Sequence, residues 1–184
     1  MATKKGQVKK TSLEQYSRPR ANGINAITIK DDDELLEAKL TTGDSQVMLA
    51  LKSGKTIRFE EEKTRPMGRT ASGVRGITLK DDQDEVVGMI AVDDPESNIL
   101  VVSEKGYGKR SNLEDYRITN RGGRGQKGAT TRNEDFLEHL FVGTNHQYMM
   151  FFTQKGKVFW MRVYEIPEGG KNTKGRAMQN LINI

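Results

Sequence analysis

Ser53-Gly54-Lys55-Thr56-Ile57-Arg58 decides how this chain is read, because its grammar returns three more times. Lys5-Gly6-Gln7-Val8-Lys9-Lys10, Lys105-Gly106-Tyr107-Gly108-Lys109-Arg110 and Lys155-Gly156-Lys157-Val158-Phe159-Trp160 each place a glycine after a polar turn and open a basic strand with it. Successive glycines are 48, 52 and 50 residues apart. A second glycine follows in every unit, at Gly23, Gly73, Gly125 and Gly175, spaced 50, 52 and 50. Two glycines in fixed phase over four units mark an internal repeat.

Short apolar runs surround these glycines. Val47 to Leu51, Ile99 to Val102 and Tyr148 to Phe152 precede the first glycine and read as fully buried inner strands. Ile24 to Ile29, Val74 to Leu79 and Ala177 to Ile184 follow the second glycine. After an acidic turn come further strands at Glu34 to Leu40, Val86 to Val92 and Leu137 to Val142. Helical periodicity is confined to a turn or two, as at Ser12 to Tyr16. Four short strands in about 50 residues is the pattern of propeller blades. The expected fold is therefore all-β, a propeller-like ring of about four four-stranded blades in a single domain. Its units cover residues 1–42, 43–92, 93–142 and 143–184. Ala2 to Gly6 aligns with Phe152 to Gly156, so the first unit opens at the very end of a strand and the last stops after its third, as in a ring cut inside a blade. That pattern suggests a fragment or a circularly rearranged chain.

Composition removes whole classes of function. With no cysteine there is no disulfide, thiolate metal site or cysteine nucleophile, which fits a reducing cytoplasm. No apolar run approaches the ~18 residues of a membrane helix, and the N-terminus lacks a signal-like apolar stretch, so neither membrane nor secretion is expected. The net charge of +5 permits a polyanionic partner without demanding one, so the placement of charge must decide.

Cations gather between the two glycines of each unit. Lys9, Lys10, Arg18 and Arg20 lie there in the first, and Arg58, Lys63, Arg65 and Arg69 in the second. Lys109, Arg110, Arg117, Arg121 and Arg124 follow in the third, and Lys157, Arg162, Lys171 and Lys174 in the fourth. Acidic clusters, Asp31 to Asp33 and Asp81 to Asp84, occupy another phase and read as turns. Equal phase around a ring means equal radius, so the cations would form a belt suited to nucleic-acid phosphates. Edge protection and solubility would use the same residues. The densest motif is Arg121-Gly122-Gly123-Arg124-Gly125-Gln126-Lys127-Gly128, whose glycines let backbone amides approach phosphates while Arg121, Arg124 and Lys127 supply charge.

At this loop the chain resembles the C-terminal domain of DNA gyrase A, whose hallmark box reads Gln-Arg-Arg-Gly-Gly-Arg-Gly. Thr119 to Gly125 occupies the box, with Arg121, Gly122, Gly123, Arg124 and Gly125 matching and Thr119 and Asn120 at the first two positions. Met67-Gly68-Arg69, Gly73-Val74-Arg75-Gly76-Ile77, Gly106 to Arg110 and Val163-Tyr164-Glu165-Ile166-Pro167 look like blade motifs of the same family, so the resemblance covers the whole chain. It implies a β-pinwheel, in which outer strands are exchanged between blades, and a bacterial, cytoplasmic, nucleoid-associated domain. It also implies duplex DNA wrapped around a basic perimeter in support of negative supercoiling, with the rest of a gyrase complex as partner. Family domains usually have five or six blades and carry the box in the first. Its place in the third unit here implies a rearranged order.

On this reading Arg121, Arg124 and Lys127, with Gly122, Gly123 and Gly125, clamp the duplex, and Lys9, Lys10, Arg58, Arg65, Arg69, Lys109 and Arg110 carry it around the rim. No catalytic residues, metal or cofactor are expected. His139 and His146 are separated by a predicted strand and make a poor metal pair. Tyr16 and Tyr116, each ten residues after its blade glycine, read as packing residues, and Trp160, Phe159, Phe151 and Phe152 as core. A strand-exchanged homodimer is open as a further partner. The rival reading is a propeller-like scaffold that binds acidic protein partners without wrapping DNA.

Overall fold

Every basic strand begins where the chain turns through a left-handed residue; Gly54, at φ +81°, shows why a side chain is excluded there. A computed structural model describes residues 1–182. In chain order its strands are β1 (Ala2–Thr3), β2 (Gln7–Val8), β3 (Leu35–Glu37), β4 (Gln46–Leu51), β5 (Lys55–Glu60), β6 (Val74–Arg75) and β7 (Val86–Val92). They continue as β8 (Asn98–Ser103), β9 (Tyr107–Asn112), β10 (Gln126–Lys127), β11 (Leu137–Gly143), β12 (Tyr148–Phe152), β13 (Val158–Arg162) and β14 (Arg176–Ala177). Short 3-10 turns, the first at Leu13–Tyr16, connect them, and no α-helix occurs among the described residues.

The strands pair antiparallel into sheets ordered β3-β1-β2-β6, β7-β4-β5-β10, β11-β8-β9-β14 and β12-β13. The chain is thus all-β and propeller-like, as the repeat predicts. Sheet and sequence unit are offset by one strand. The strand after the second glycine does not return to its own unit; β6 adds to β2, β10 to β5 and β14 to β9, each on the preceding sheet. A parallel bridge reinforces each crossing, at Lys10 with Pro66, Arg58 with Ile118 and Arg110 with Glu168.

Side-chain alternation along the inner strands supplies both faces of the packing. In the second unit Met48, Ala50, Ile90 and Val92 meet Ile99, Val101, Leu113 and Tyr116 of the third. The intervening Leu49 and Leu51, with Ile57 and Phe59, meet Ala2 and Val8 of the first. Leu100 of the third unit packs under Val163 and Ile166 of the fourth. Each wholly buried Val, Leu, Ile, Met or Phe among them contributes roughly 1.5–3 kcal/mol, and the core is a series of inter-unit layers.

Four expectations need correction. Residues 24–29 form no strand, since a strand at this phase adds to the sheet before it and the described residues hold no such sheet. Tyr148 to Phe152 is an inner strand but not a buried one: Phe152 is 75% exposed and Trp160 on β13 69%, with nothing packed on this face among the described residues. The first unit does have an opening strand, though a minimal one: Ala2–Thr3 pairs with both β2 and β3. The predicted strand at Ala177 to Ile184 is confined to Arg176–Ala177 and passes into a 3-10 turn; its last two residues lie outside the described range.

Candidate nucleic-acid interface

The glycine-rich loop lies against the second unit. The Gly122 amide donates to the Gly76 carbonyl (2.7 Å), and the Thr78 amide and hydroxyl return to the Gly123 and Gly122 carbonyls (2.8 Å each). Gly125 adopts φ +70° and passes so near β5 that a Cβ would stand 2.7 Å from the Thr56 carbonyl oxygen. Beyond it Gln126 and Lys127 join β5 opposite Thr56 and Lys55. The box is therefore first a crossing device, letting one backbone step onto the sheet of its neighbour.

Arg121, read as a clamp, braces this crossing. Its guanidinium donates to the carbonyls of Lys63 (3.1 Å) and Arg75 (2.5 Å). Arg69, at the same distance before its own glycine, donates to the Asn25 carbonyl (2.9 Å), and Lys171 to that of Asp115 (3.2 Å). Equal phase reflects equal work between units.

Several cations assigned to the rim are inside the molecule. Lys9 is 3% exposed, its ammonium donating to the carbonyls of Ala26 and Arg69. Arg58 is buried with Nη1 on the Leu113 and Tyr116 carbonyls, 2.8 Å each, across the interface of the second and third units. Lys109 is 3% exposed and reaches the Gly170 carbonyl (2.8 Å). Lys10 is paired with Glu61 (3.3 Å) and Arg110 with Glu168 (3.1 Å). A cation whose donors are spent on buried carbonyls has little left for a phosphate, which is why these positions read as contacts in sequence yet serve as cross-braces in the fold.

Burial pushes the Lys109 ammonium down from 10.5 to about 8, with the nearby Lys127 charge acting in the same direction against Asp115. The folded chain gives up a proton there that the unfolded chain holds up to its ordinary value of 10.5. Its contribution to stability therefore rises with pH between about 8 and 10.5. Urea midpoints measured across that range should climb more steeply for the native chain than for Lys109→Met; equal slopes would remove Lys109 as the cause.

Between the first glycine and the outer strand of the second and third units, five side chains remain exposed and make no hydrogen bond or ion pair among the described residues: Arg65, Arg75, Arg117, Arg124 and Lys127. Arg65 and Arg117 each lie eleven residues after a first glycine, and Arg75 and Lys127 two after a second, the latter pair on the outer strands β6 and β10. Sequence reasoning put Arg117 in the basic belt without naming it as a contact, and missed Arg75 altogether. The offset that Arg75 shares with Lys127 is the signal that identifies it.

Two sets of carboxylates recur along the repeat. Asp33, Asp84 and Asp135 each cap the hairpin turn of their own unit, accepting from the amides of Lys5 (2.8 Å), Ser53 (3.0 Å) and Lys105 (3.1 Å). Their recurrence is turn chemistry, as the phase suggested. A second set, Glu14, Glu62, Glu114, Asp115 and Glu165, sits on the 3-10 turns within the cation-bearing stretch, so the expected separation of charge by phase is incomplete. The predicted packing of Tyr116 is seen directly: it is fully buried and its hydroxyl donates to Gly128 (3.2 Å), as Tyr16 does to Ala26 (3.3 Å).

A family model described as the DNA gyrase C-terminal domain, beta-propeller, matches residues 1–42, 47–93, 97–143 and 147–181, one segment for each repeat. The chain belongs to this family. It is 40% identical over 182 residues to DNA gyrase A of Staphylococcus epidermidis, covering 98% of this chain and 20% of that protein. It is also 40% identical over 176 residues to DNA gyrase A of Staphylococcus aureus, covering 95% and 20%. The chain spans about a fifth of the length of these relatives. One match runs through all four units, so they follow the order of the S. epidermidis protein, and the position of the box in the third needs no rearrangement.

Among solved structures, the C-terminal domain of DNA topoisomerase IV superposes with a TM-score of 0.86 at 24% identity, over 95% of this chain and 55% of that one. The DNA gyrase A C-terminal domain superposes at 0.85 and 22%, over 96% and 59%. The gyrase C-terminal fold of this chain is accordingly a β-pinwheel, and the matched region is a non-catalytic accessory domain.

Proposed function

We propose that this single domain, with units at residues 1–42, 43–92, 93–142 and 143–184, binds duplex DNA with little sequence preference and bends it along its outer strands. Membership of the gyrase C-terminal family supports the ligand class. The observation that carries the surface is the repetition of unpartnered cations at equal phase: Arg65 with Arg117 and Arg75 with Lys127, joined by Arg124 in the box loop. Such residues keep their charge and donors for phosphates, whereas Lys9, Arg58 and Lys109 spend theirs indoors. The box glycines would position the crossing rather than touch DNA, and Arg121 and Arg69 would hold it. Lys10 and Arg110 would be secondary, being paired. Bending a 20–30 bp site by 40–90° costs on the order of 1–6 kcal/mol, which several phosphate contacts can offset. In its full-length setting the domain would act in the bacterial cytoplasm, with the remaining parts of a gyrase as partners, to support negative supercoiling.

Affinity for linear duplex should fall linearly with salt on a log–log scale, with a slope of about −0.9 per phosphate neutralised. Arg124→Ala/Lys127→Ala should flatten that slope by about 2 and leave the urea midpoint unchanged, since neither side chain makes a hydrogen bond or ion pair to the protein. A salt-independent association, or one the double variant leaves intact, would favour the scaffold reading instead.

A further inference from the structure

We infer that Pro66 and Ile118 are apolar wedges that enter the minor groove and kink the duplex at discrete base steps, an inference that deepens the DNA-bending reading above and rests on it. Both side chains are exposed, Ile118 by 44%, in the midst of the free cations. Both stand twelve residues after a first glycine, directly behind Arg65 and Arg117. Neither joins an apolar cluster of the core.

The backbone fixes where they sit. Pro66 bridges to Lys10 at the outer edge of β2, where Arg75 pairs with Gln7. Ile118 bridges to Arg58 at the outer edge of β5, where Lys127 pairs with Lys55. Each apolar residue is therefore three strand positions from a free cation, about 10 Å along the edge, and has a second free cation next to it in the chain. Neither can retreat. The following amides, of Met67 and Thr119, donate to the Lys10 and Arg58 carbonyls at 2.9 and 2.8 Å.

The fold does not require an apolar residue at this place. On the sheet of β9 the same edge position, bridged to Arg110, is Glu168, which is ion-paired with that arginine (3.1 Å), and the outer-strand position opposite Tyr107 is Ala177. Apolar tip and free cation thus occur together on the sheets of β2 and β5 and are both missing from that of β9, so they go with a ligand and not with the strand crossing. Ile and Pro are among the side chains that proteins press between base steps from the minor groove, unstacking them and bending the duplex by 20–90° toward the major groove. The cations on either side would hold the phosphates that flank the opened step. A wedge replaces a uniform elastic cost by a local one, which is least at flexible pyrimidine–purine steps.

Duplexes of about 20–30 bp, labelled at both ends for energy transfer and either intact or carrying a T·T mismatch beside 2-aminopurine, test this with the whole chain. The native chain should raise the transfer, brighten the 2-aminopurine as its step opens, and prefer the mismatched duplex by about tenfold. Pro66→Ala/Ile118→Ala should still bind the intact duplex, since no charge is lost, but with transfer near that of free DNA, a quenched 2-aminopurine and no mismatch preference. If this pair lowers the urea midpoint, Ile118→Thr, which keeps the branched shape without the apolar tip, carries the test and should lower both signals. Bending by the native chain without a 2-aminopurine signal, or unchanged signals in a variant of native stability, would overturn the wedges and leave DNA binding standing. A native chain that binds neither duplex would overturn that reading and the wedges with it.

Discussion

Gly125→Ala lowers the stability of this domain by about 2–5 kcal/mol, while Gly23→Ala, at the same phase of the first unit, costs only about 1–2. Both glycines are left-handed, at φ +70° and +79°, so both substitutions meet the same backbone penalty. They differ in what surrounds them. The new Cβ at residue 125 meets the Thr56 carbonyl oxygen at 2.7 Å, backbone that cannot step aside without breaking the β5–β10 pair; at residue 23 nothing lies within 4 Å. Urea unfolding with matched m-values measures the difference. Equal losses would mean that the strand crossing does not depend on close approach.

Arg58→Ala is expected to cost about 2–5 kcal/mol, because it takes from the Leu113 and Tyr116 carbonyls their donor across the unit boundary and opens a void beneath them. DNA affinity per folded molecule should stay at the native value, since the side chain is buried. The Arg124→Ala/Lys127→Ala pair should behave the opposite way, with affinity lost and stability kept. Urea midpoints and binding isotherms on the same two preparations separate the roles; a fall in affinity of folded Arg58→Ala would return it to the rim.

Much of the fold was legible before any coordinates. Two glycines per unit locate tight turns and crossings, and the continuous apolar runs at Val86 to Val92 and Val47 to Leu51 became β7 and β4 almost to the residue. Short outer strands were less legible, because two residues such as Gln126–Lys127 carry no periodicity of their own. The site was legible only in part. Arg58 and Arg65 are both basic and near each other in one unit, yet the first is buried and the second exposed. Nothing in their local sequence separates a guanidinium that braces carbonyls from one that meets solvent. Trp160 shows the converse: its apolar character says that it should be covered, but not by what.

By itself the amino-acid order determined the repeat, the all-β class, the turns and the family, since each depends on local backbone limits and on spacing along one chain. Which lysines and arginines are free, which face is bare and which strand changes sheets were decided by tertiary structure alone. Those properties depend on neighbours about fifty residues away, whose carbonyls and side chains either consume a group's hydrogen bonds and exclude water from it or leave both available.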